Sequence, residues 1–570
     1  MRRIAARLLL IAGLVPFDID RFFVAKELIE PPSVNGGALI DQSTLPTAIE
    51  IKGPRPQADP SVIPPAERTL PEDLESLQAP PSLVLPNKTG EVRVRELKPL
   101  TRVQVEQLAE VNNPQLKAVE SQVKQAKSVL RAAISRWYPT LNLNANGLPQ
   151  YLSGEQQTFD SGRSELVDPA TNLPMQDGRL TNTEAWSVNF GAQLNWNLID
   201  PGRVPEIAAA RDSYERARDA YLIALRDLRL SATTSYNDLQ LRDDKVKIGT
   251  QSVKASLVSL RDARARFQAG VATKLEVLEA ETQLARDQQL LTDSLNEQFK
   301  SRRGLAALLN LPQDVTPTAA NPSAVVGIWE PSLQESIISA YAFREELDQY
   351  ILDISINNSN ANEALAAVQP SLSLFNTFST QRLQGETNAE PPVEKGVYGW
   401  SFDNAVGLSA SWNVFDGGRA SAEYRRSKLR AEESEYKFAE ERNSIRKEVE
   451  DVFYDLSANQ QDIRTGSREV LSATESLRLA RLRFQAGVTT QREVVDTQRD
   501  LTKAQIGYVQ AIAAYNNSIA ALRRYTGLDQ VVSCPVVDFP AEKPLQDPLD
   551  DIPIEPTPNI PACESAQNGL

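Results

Sequence analysis

Residues 259–271 read SLRDARARFQAGV and residues 476–488 read SLRLARLRFQAGV, identical at eleven of thirteen positions with a constant offset of 217. That offset is far longer than a solenoid repeat of about 20–50 residues, so each copy belongs to a large unit. Upstream of each copy the apolar residues keep a helical period for a long way, over about 203–268 and 419–485. At about 1.5 Å per residue, such a helix is on the order of 100 Å long. Gly270 and Gly487 then mark turns, since glycine accepts the left-handed backbone that ends many helices. A shorter helix follows each turn, from about Thr273 to Leu309 and from about Gln491 to Thr526. In the first of these, Leu284, Leu291, Leu295, Leu305 and Leu309 have coiled-coil spacing. The copied stretch is therefore the arm and turn of a helical hairpin, present twice.

Working outward, each long helix is preceded by a change of period from 3.6 to 2. Trp186, Val188, Phe190, Ala192, Leu194, Trp196 and Leu198 share one face of a strand, against Ser187, Asn189, Gly191, Gln193, Asn195 and Asn197 on the other. Thirteen alternating residues exceed a typical soluble strand of about 5–6, and the pattern matches the apolar-out, polar-in strand of a membrane barrel. Leu141, Leu143 and Ala145 alternate in the same way after Pro139, with a polar stretch over about 153–184 between the two strands. In the second half Leu372 and Leu374 follow Pro370, a polar stretch covers about 381–399, and Val406, Leu408, Ala410, Trp412 and Val414 alternate with small or polar residues. The turns from strand to helix read DPGR from Asp200, through Gly202, and DGGR from Asp416, through Gly418. No Lys-Ser/Thr follows, so neither is a phosphate loop; Asp200 and Asp416 suit helix N-caps.

Other helices are expected over about 101–112, opened by a Thr101–Gln104 capping box, over 114–136 with Pro114 in the first turn, and over 332–366. Gly249 and Gly466 correspond at the same offset in mid-helix, where a glycine costs about 1 kcal/mol relative to alanine, so a bend or a tight helix contact is expected there. The expected organisation is a signal-like segment over 1–30, a proline-rich disordered segment over 31–100, a first repeat over 101–312, a linker over 313–330, a second repeat over 331–530 and a proline-rich acidic tail over 531–570. MRRIAARLLLIAGLV has the basic start and apolar run of a signal peptide, although Arg7 interrupts it.

Composition excludes most chemistry. The chain of 570 residues has no histidine and a net charge of −14. Its two cysteines, Cys534 and Cys563, both lie in the tail, where they form either a disulfide or two separate thiols. The rest of the chain thus offers neither the commonest general base nor a Cys/His zinc set. No catalytic constellation and no cofactor are expected. So acidic a balance argues against nucleic acid as a partner, because phosphate binding needs a basic patch. No stretch of about 18 apolar residues is long enough for a membrane-spanning helix.

Four strands with an apolar outer face cannot stand open in lipid, because every edge N–H and C=O needs a partner. Membrane barrels begin at about eight strands, so copies of the chain must complete one, and three copies give twelve strands. The fold class expected is mainly α, with long antiparallel hairpins forming an α-barrel and four β-strands per chain. This order of elements, with WYPTLNL and VQPSLSL at the strand starts, WNLIDPGR and WNVFDGGR at the strand-to-helix turns, and FQAGVATKLEVLEA and FQAGVTTQREVVDT at the hairpin turns, resembles the TolC-like outer-membrane efflux protein family over about 100–530.

The resemblance implies a homotrimeric exit duct for a tripartite efflux pump or type I secretion system. It would sit in outer-membrane lipid, with its helical portion in the periplasm. The hairpin tips would close at rest and dock a periplasmic adaptor and an inner-membrane transporter. It places Gly270, Val271, Thr273, Gly487, Val488 and Thr490 at the docking tips. Glu276, Glu279, Glu493 and Asp496 become candidates for an acidic aperture, with Glu493 and Asp496 the better match. Trp186, Trp196, Trp400 and Trp412 suit a membrane-interface belt. The alternative is a periplasmic adaptor with a coiled-coil hairpin, which would not need lipid-facing strands. A purely structural coiled coil leaves the strands unexplained.

Overall fold

The computed structural model describes residues 66–159, 178–390 and 395–532, all within the compact unit Ile49–Leu570. The signal-like segment, most of the acidic tail and both cysteines lie outside the described residues.

The described chain opens with a short 3-10 turn, Glu72–Leu77, then β1, Glu96–Leu100. Disorder was expected over 31–100, and its described part corrects this. Leu74 and Leu77 are 1% exposed, in one cluster with Val105 and Leu108. Asn112 fixes the segment by donating to the Leu77 carbonyl at 2.8 Å and accepting from the Ala79 N–H at 3.0 Å. Prolines extend the chain here, but two leucines three apart still bury one face.

Helix α1, Arg102–Asn112, starts at the expected capping box. Helix α2, Pro114–Ile134, is capped by Asn113, with Pro114 at its start. Strands β2, Thr140–Phe159, and β3, Gly178–Ile199, follow. Then come the first hairpin, α3, Arg203–Gln268, and α4, Lys274–Leu308. The expected linker carries two short strands, β4, Val315–Ala319, and β5, Ile328–Trp329.

The helix expected over 332–366 is two, α5, Leu333–Phe343, and α6, Glu345–Ala366. The break is Arg344, which is extended (φ −86°, ψ 116°) and only 4% exposed. Its guanidinium reaches Glu346 at 2.9 Å and also binds Glu448 of the later long helix, so a buried charge sets the kink rather than a proline or glycine. Strands β6, Ser371–Glu390, and β7, Lys395–Ser411, lead to the second hairpin, α7, Arg419–Gln485, and α8, Gln491–Thr526. Strand β8, Val531–Val532, ends the described chain.

The four long strands form one antiparallel sheet in the order β2-β3-β6-β7. All four run further into the polar stretches than side-chain alternation indicated, because backbone hydrogen bonds continue the ladder whatever the side-chain pattern. β1 pairs with β4 in parallel, and β5 pairs with β8 antiparallel. In the helical part α3 packs along α4, α7 along α8, and α3 also against α6 and α8. The two mid-helix glycines differ: a Cβ on Gly249 would stand 3.2 Å from Leu291 Cα, a tight approach, whereas one on Gly466 would stand 3.5 Å from Tyr508 Cα, an ordinary contact.

An ionic cluster ties the halves together where α5 meets α6. Arg226 reaches Glu345 at 2.9 Å, while Arg524 reaches Asp227 at 2.6 Å and Glu346 at 2.7 Å. Burial alone would raise the Glu346 carboxyl, but the Arg344 and Arg524 guanidiniums prevail and hold it at about 2. Charges this deep are tolerated only because each has a partner.

Candidate functional site

Each hairpin turn is built the same way. Gly270 has φ +75° and Gly487 has φ +74°. The Gly270 N–H donates to the Phe267 carbonyl and the Val271 N–H to the Arg266 carbonyl, both at 3.0 Å. The Gly487 N–H donates to Phe484 at 3.0 Å and the Val488 N–H to Arg483 at 2.9 Å. This 5→2 plus 6→1 pair is a Schellman cap, which satisfies the last helix carbonyls and needs the left-handed residue at its centre. Val271 and Val488, next in sequence, are 66% and 69% exposed. Thr273 and Thr490 are the N-caps of α4 and α8.

The four acids do different work. Glu276 accepts from the Thr273 N–H at 3.3 Å and so belongs to the cap of its own helix. Glu279 is half-buried one turn later. Glu493 pairs with Arg483 across its hairpin at 2.8 Å and accepts from the Thr489 hydroxyl. Asp496 has Arg499 at 3.2 Å and Arg492 at 3.8 Å. Sequence reasoning missed these arginines; their i+3 and i−4 spacing to Asp496 was the available signal. Each pair is partly solvated and worth at most about 1 kcal/mol.

At the sheet, Trp186, Trp400 and Trp412 are exposed, and Trp196 only slightly less so. Trp196 and Trp412 stand at the helical end of their strands and donate their indole N–H groups to the Trp137 and Val368 carbonyls, each at 3.0 Å. Trp186 lies further up β3, 5.2 Å from the Tyr151 ring. Trp400 lies further up β7, stacked 6.2 Å from Phe402.

The strand-to-helix turns refine the capping expectation. The residues immediately before α3 and α7 are Gly202 and Gly418, not the aspartates. Asp200 accepts the Gly202 N–H at 3.1 Å, and Asp416 accepts the Gly418 and Ala420 N–H groups at 2.9 and 2.7 Å. The carboxylates thus cap from two residues upstream, and the Ala420 N–H in particular holds the Asp416 carboxyl below its usual range. Arg136 adds a bond to Asp200 at 2.9 Å, tying the end of α2 to the first turn. Among the described residues no group of acids, histidines and cysteines could hold a metal ion.

The model of a family described as outer membrane efflux protein matches residues 105–311 and 338–528, which cover both hairpins and all four long strands. The chain belongs to the outer membrane efflux protein family. Nodulation protein T of Rhizobium leguminosarum bv. viciae is 26% identical over 394 residues, covering 64% of this chain and 78% of that one. The pyoverdine export outer membrane protein OpmQ of Pseudomonas putida is 26% identical over 403 residues, covering 69% and 78%. Among solved structures, CusC superposes with a TM-score of 0.59 at 18% identity over 81% of this chain and 98% of its own. The open state of the MtrE outer membrane channel of Neisseria gonorrhoeae gives 0.57 at 17% identity over 83% and 99%. At these identities the structural likeness establishes the fold: long helical hairpins with four antiparallel strands. As a member of the efflux protein family, the chain is a passive, non-enzymatic outer membrane channel of the trimeric TolC-like type, and it serves efflux. The adaptor alternative is thereby set aside.

Proposed function

We propose that three copies of this efflux protein close their sheets into a twelve-stranded barrel and their hairpins into a continuous helical tube. The tube is gated at its tips and docked there by a periplasmic adaptor and its inner-membrane transporter. The observation that carries this reading is the pair of Schellman-capped tips with exposed Val271 and Val488, with Phe267 and Leu275 adding exposed apolar surface beside the first. Six such tips in a trimer would make a quasi-sixfold surface for adaptor hairpins.

The tryptophans support the membrane placement. Trp186 and Trp196 are ten residues apart on β3, or about 34 Å along a strand. A strand tilted by about 35–45° converts this to roughly 24–28 Å of height, the thickness of a barrel's apolar band. The opposite face carries Asn142, Asn144, Asn189, Asn195, Asn197 and Ser409, a polar lining suited to a water-filled lumen.

Glu493 and Asp496 form the acidic aperture in this proposal, with Glu276 and Glu279 on the alternate hairpins. Because Arg483, Arg492 and Arg499 offset part of that charge, the cation preference is expected to be moderate. Planar-bilayer recording of the Glu493→Gln, Asp496→Asn double variant tests it. The expected result is a lower cation preference and weaker block by divalent cations. Unchanged selectivity together with unchanged block would overturn the aperture assignment.

A further inference from the structure

A cavity of about 710 Å³ lies between the two hairpins, running from beside the Gly487 turn, where Gln485 and Gln491 line it, back along the arms to Lys254. Its volume falls within the roughly 300–1,000 Å³ of small-molecule sites. All four long helices line it: α3 supplies Ser259 and Arg266, α4 Gln283, α7 Arg481 and Phe484, and α8 Val494.

Two of these side chains have unused hydrogen-bonding capacity. Gln283 is 5% exposed; its amide nitrogen donates to Asp287 at 3.0 Å, and its Oε1 has no partner. Arg266 stacks 4.2 Å from the Phe484 ring and donates through Nη1 to the Phe484 carbonyl at 3.0 Å, leaving Nε without a partner. The charged lining groups are Lys254, Arg266 and Arg481 against Asp262 alone. Even with the buried Asp287 behind Gln283 and Ser256 counted, the three basic groups outnumber the two acids, so the cavity is mildly positive in a chain whose net charge is −14. Phe484 and Val494 give it an apolar wall.

We infer that this cavity binds an amphipathic organic anion. The apolar body lies against Phe484 and Val494, the acidic group faces Arg266 and Arg481, and an N–H or O–H of the ligand donates to Gln283 Oε1. A charge-assisted contact to a guanidinium is among the stronger hydrogen bonds, so the acidic group dominates selectivity. Because the walls come from both hairpins, an occupant ties one to the other and opposes their separation. This consequence rests on the gating reading above; the binding itself does not.

The probe is 8-anilinonaphthalene-1-sulfonate, which carries a sulfonate, one N–H and a fused ring. It is titrated calorimetrically into the full-length protein in lipid nanodiscs, with empty nanodiscs subtracted. The expected result is saturable binding of about one probe per chain. Arg481→Glu, at an exposed rim position, should weaken it about tenfold or more, and Ala265→Trp, which fills the mouth, should abolish it. N-phenyl-1-naphthylamine, the uncharged analogue, should not distinguish wild type from Arg481→Glu. Equal sulfonate binding by wild type and both variants, or no saturable binding, overturns the site. Single-channel recording then separates the two readings. A falling open-channel current on probe addition supports the tie between hairpins. Saturable binding with unchanged current leaves the site intact and overturns the gating reading.

Discussion

Replacing Gly466 with alanine should stabilise the second hairpin, whereas the same change at Gly249 should destabilise the first. Both glycines interrupt long helices at corresponding positions, and a helix-interior glycine costs about 1 kcal/mol relative to alanine. At Gly466 the new methyl meets Tyr508 Cα at 3.5 Å, an ordinary contact, so most of that 1 kcal/mol is recovered. At Gly249 it meets Leu291 Cα at 3.2 Å. That atom is backbone and cannot rotate away, and crowding a packed interface costs about 1–3 kcal/mol. The net change at Gly249 is therefore between about 0 and 2 kcal/mol unfavourable. Thermal melts followed by far-UV circular dichroism, in one detergent and at one protein concentration, measure both. The two midpoints should move apart, with a difference on the order of 2 °C or more. If Gly249→Ala melts at or above Gly466→Ala, close approach is not what those glycines provide.

Two further outcomes follow from buried charge. Asp219 on α3 is pushed up to about 7 by burial, with Asp348 and Glu345 of α6 and Glu215 of its own helix adding to the shift and Arg218 opposing it. A raised carboxyl contributes stability that is fully present below its unfolded value of 3.8 and is lost as pH rises through about 7. The full shift corresponds to about 4 kcal/mol, and solvent screening of this half-buried group reduces that to roughly 1–2 kcal/mol. Asp219→Asn should therefore melt higher than wild type at pH 8 and level with it at pH 4; a difference of the same size at both values would refute this. Arg344→Ala removes one of the two arginines on Glu346, which keeps Arg524, and leaves the half-buried Glu448 without this contact, so it should cost about 1.5–3 kcal/mol. An isothermal denaturant series should show that loss, and a change below about 1 kcal/mol would remove Arg344 as the determinant of the break.

The copied segment and the alternating tryptophan strand made the hairpins and the sheet legible in the sequence. Their signals are periodic, and long periodic signals average out local exceptions. The ends of α3, α7 and α8 were readable because glycine, proline or threonine punctuates each. The outer ends of the strands were not, since past the tryptophans the sequence turns polar and loses its alternation while the backbone ladder continues. The break at Arg344 was hidden for another reason. In the first half Asn113 and Pro114 announce the kink; in the second an arginine makes it through Glu346 and Glu448, and the Glu448 contact spans 104 residues. At the tips, the turn chemistry was plain from Gly270 and Gly487, and the partners of Asp496 lie at helical spacing on its own helix, but Arg483 meets Glu493 only when opposite arms of the hairpin are brought together.

The two acids that stand third after each tip threonine have become unequal. Glu276 closes the first turn of its helix by holding the Thr273 N–H. Glu493, its counterpart, holds Arg483 and Thr489. Duplication has thus left one carboxylate committed to architecture and released the other to variation. A lineage under selection for a different cargo or partner can rewrite position 493 and its arginine together without loosening the fold. The same change at position 276 would fray the helix that carries it.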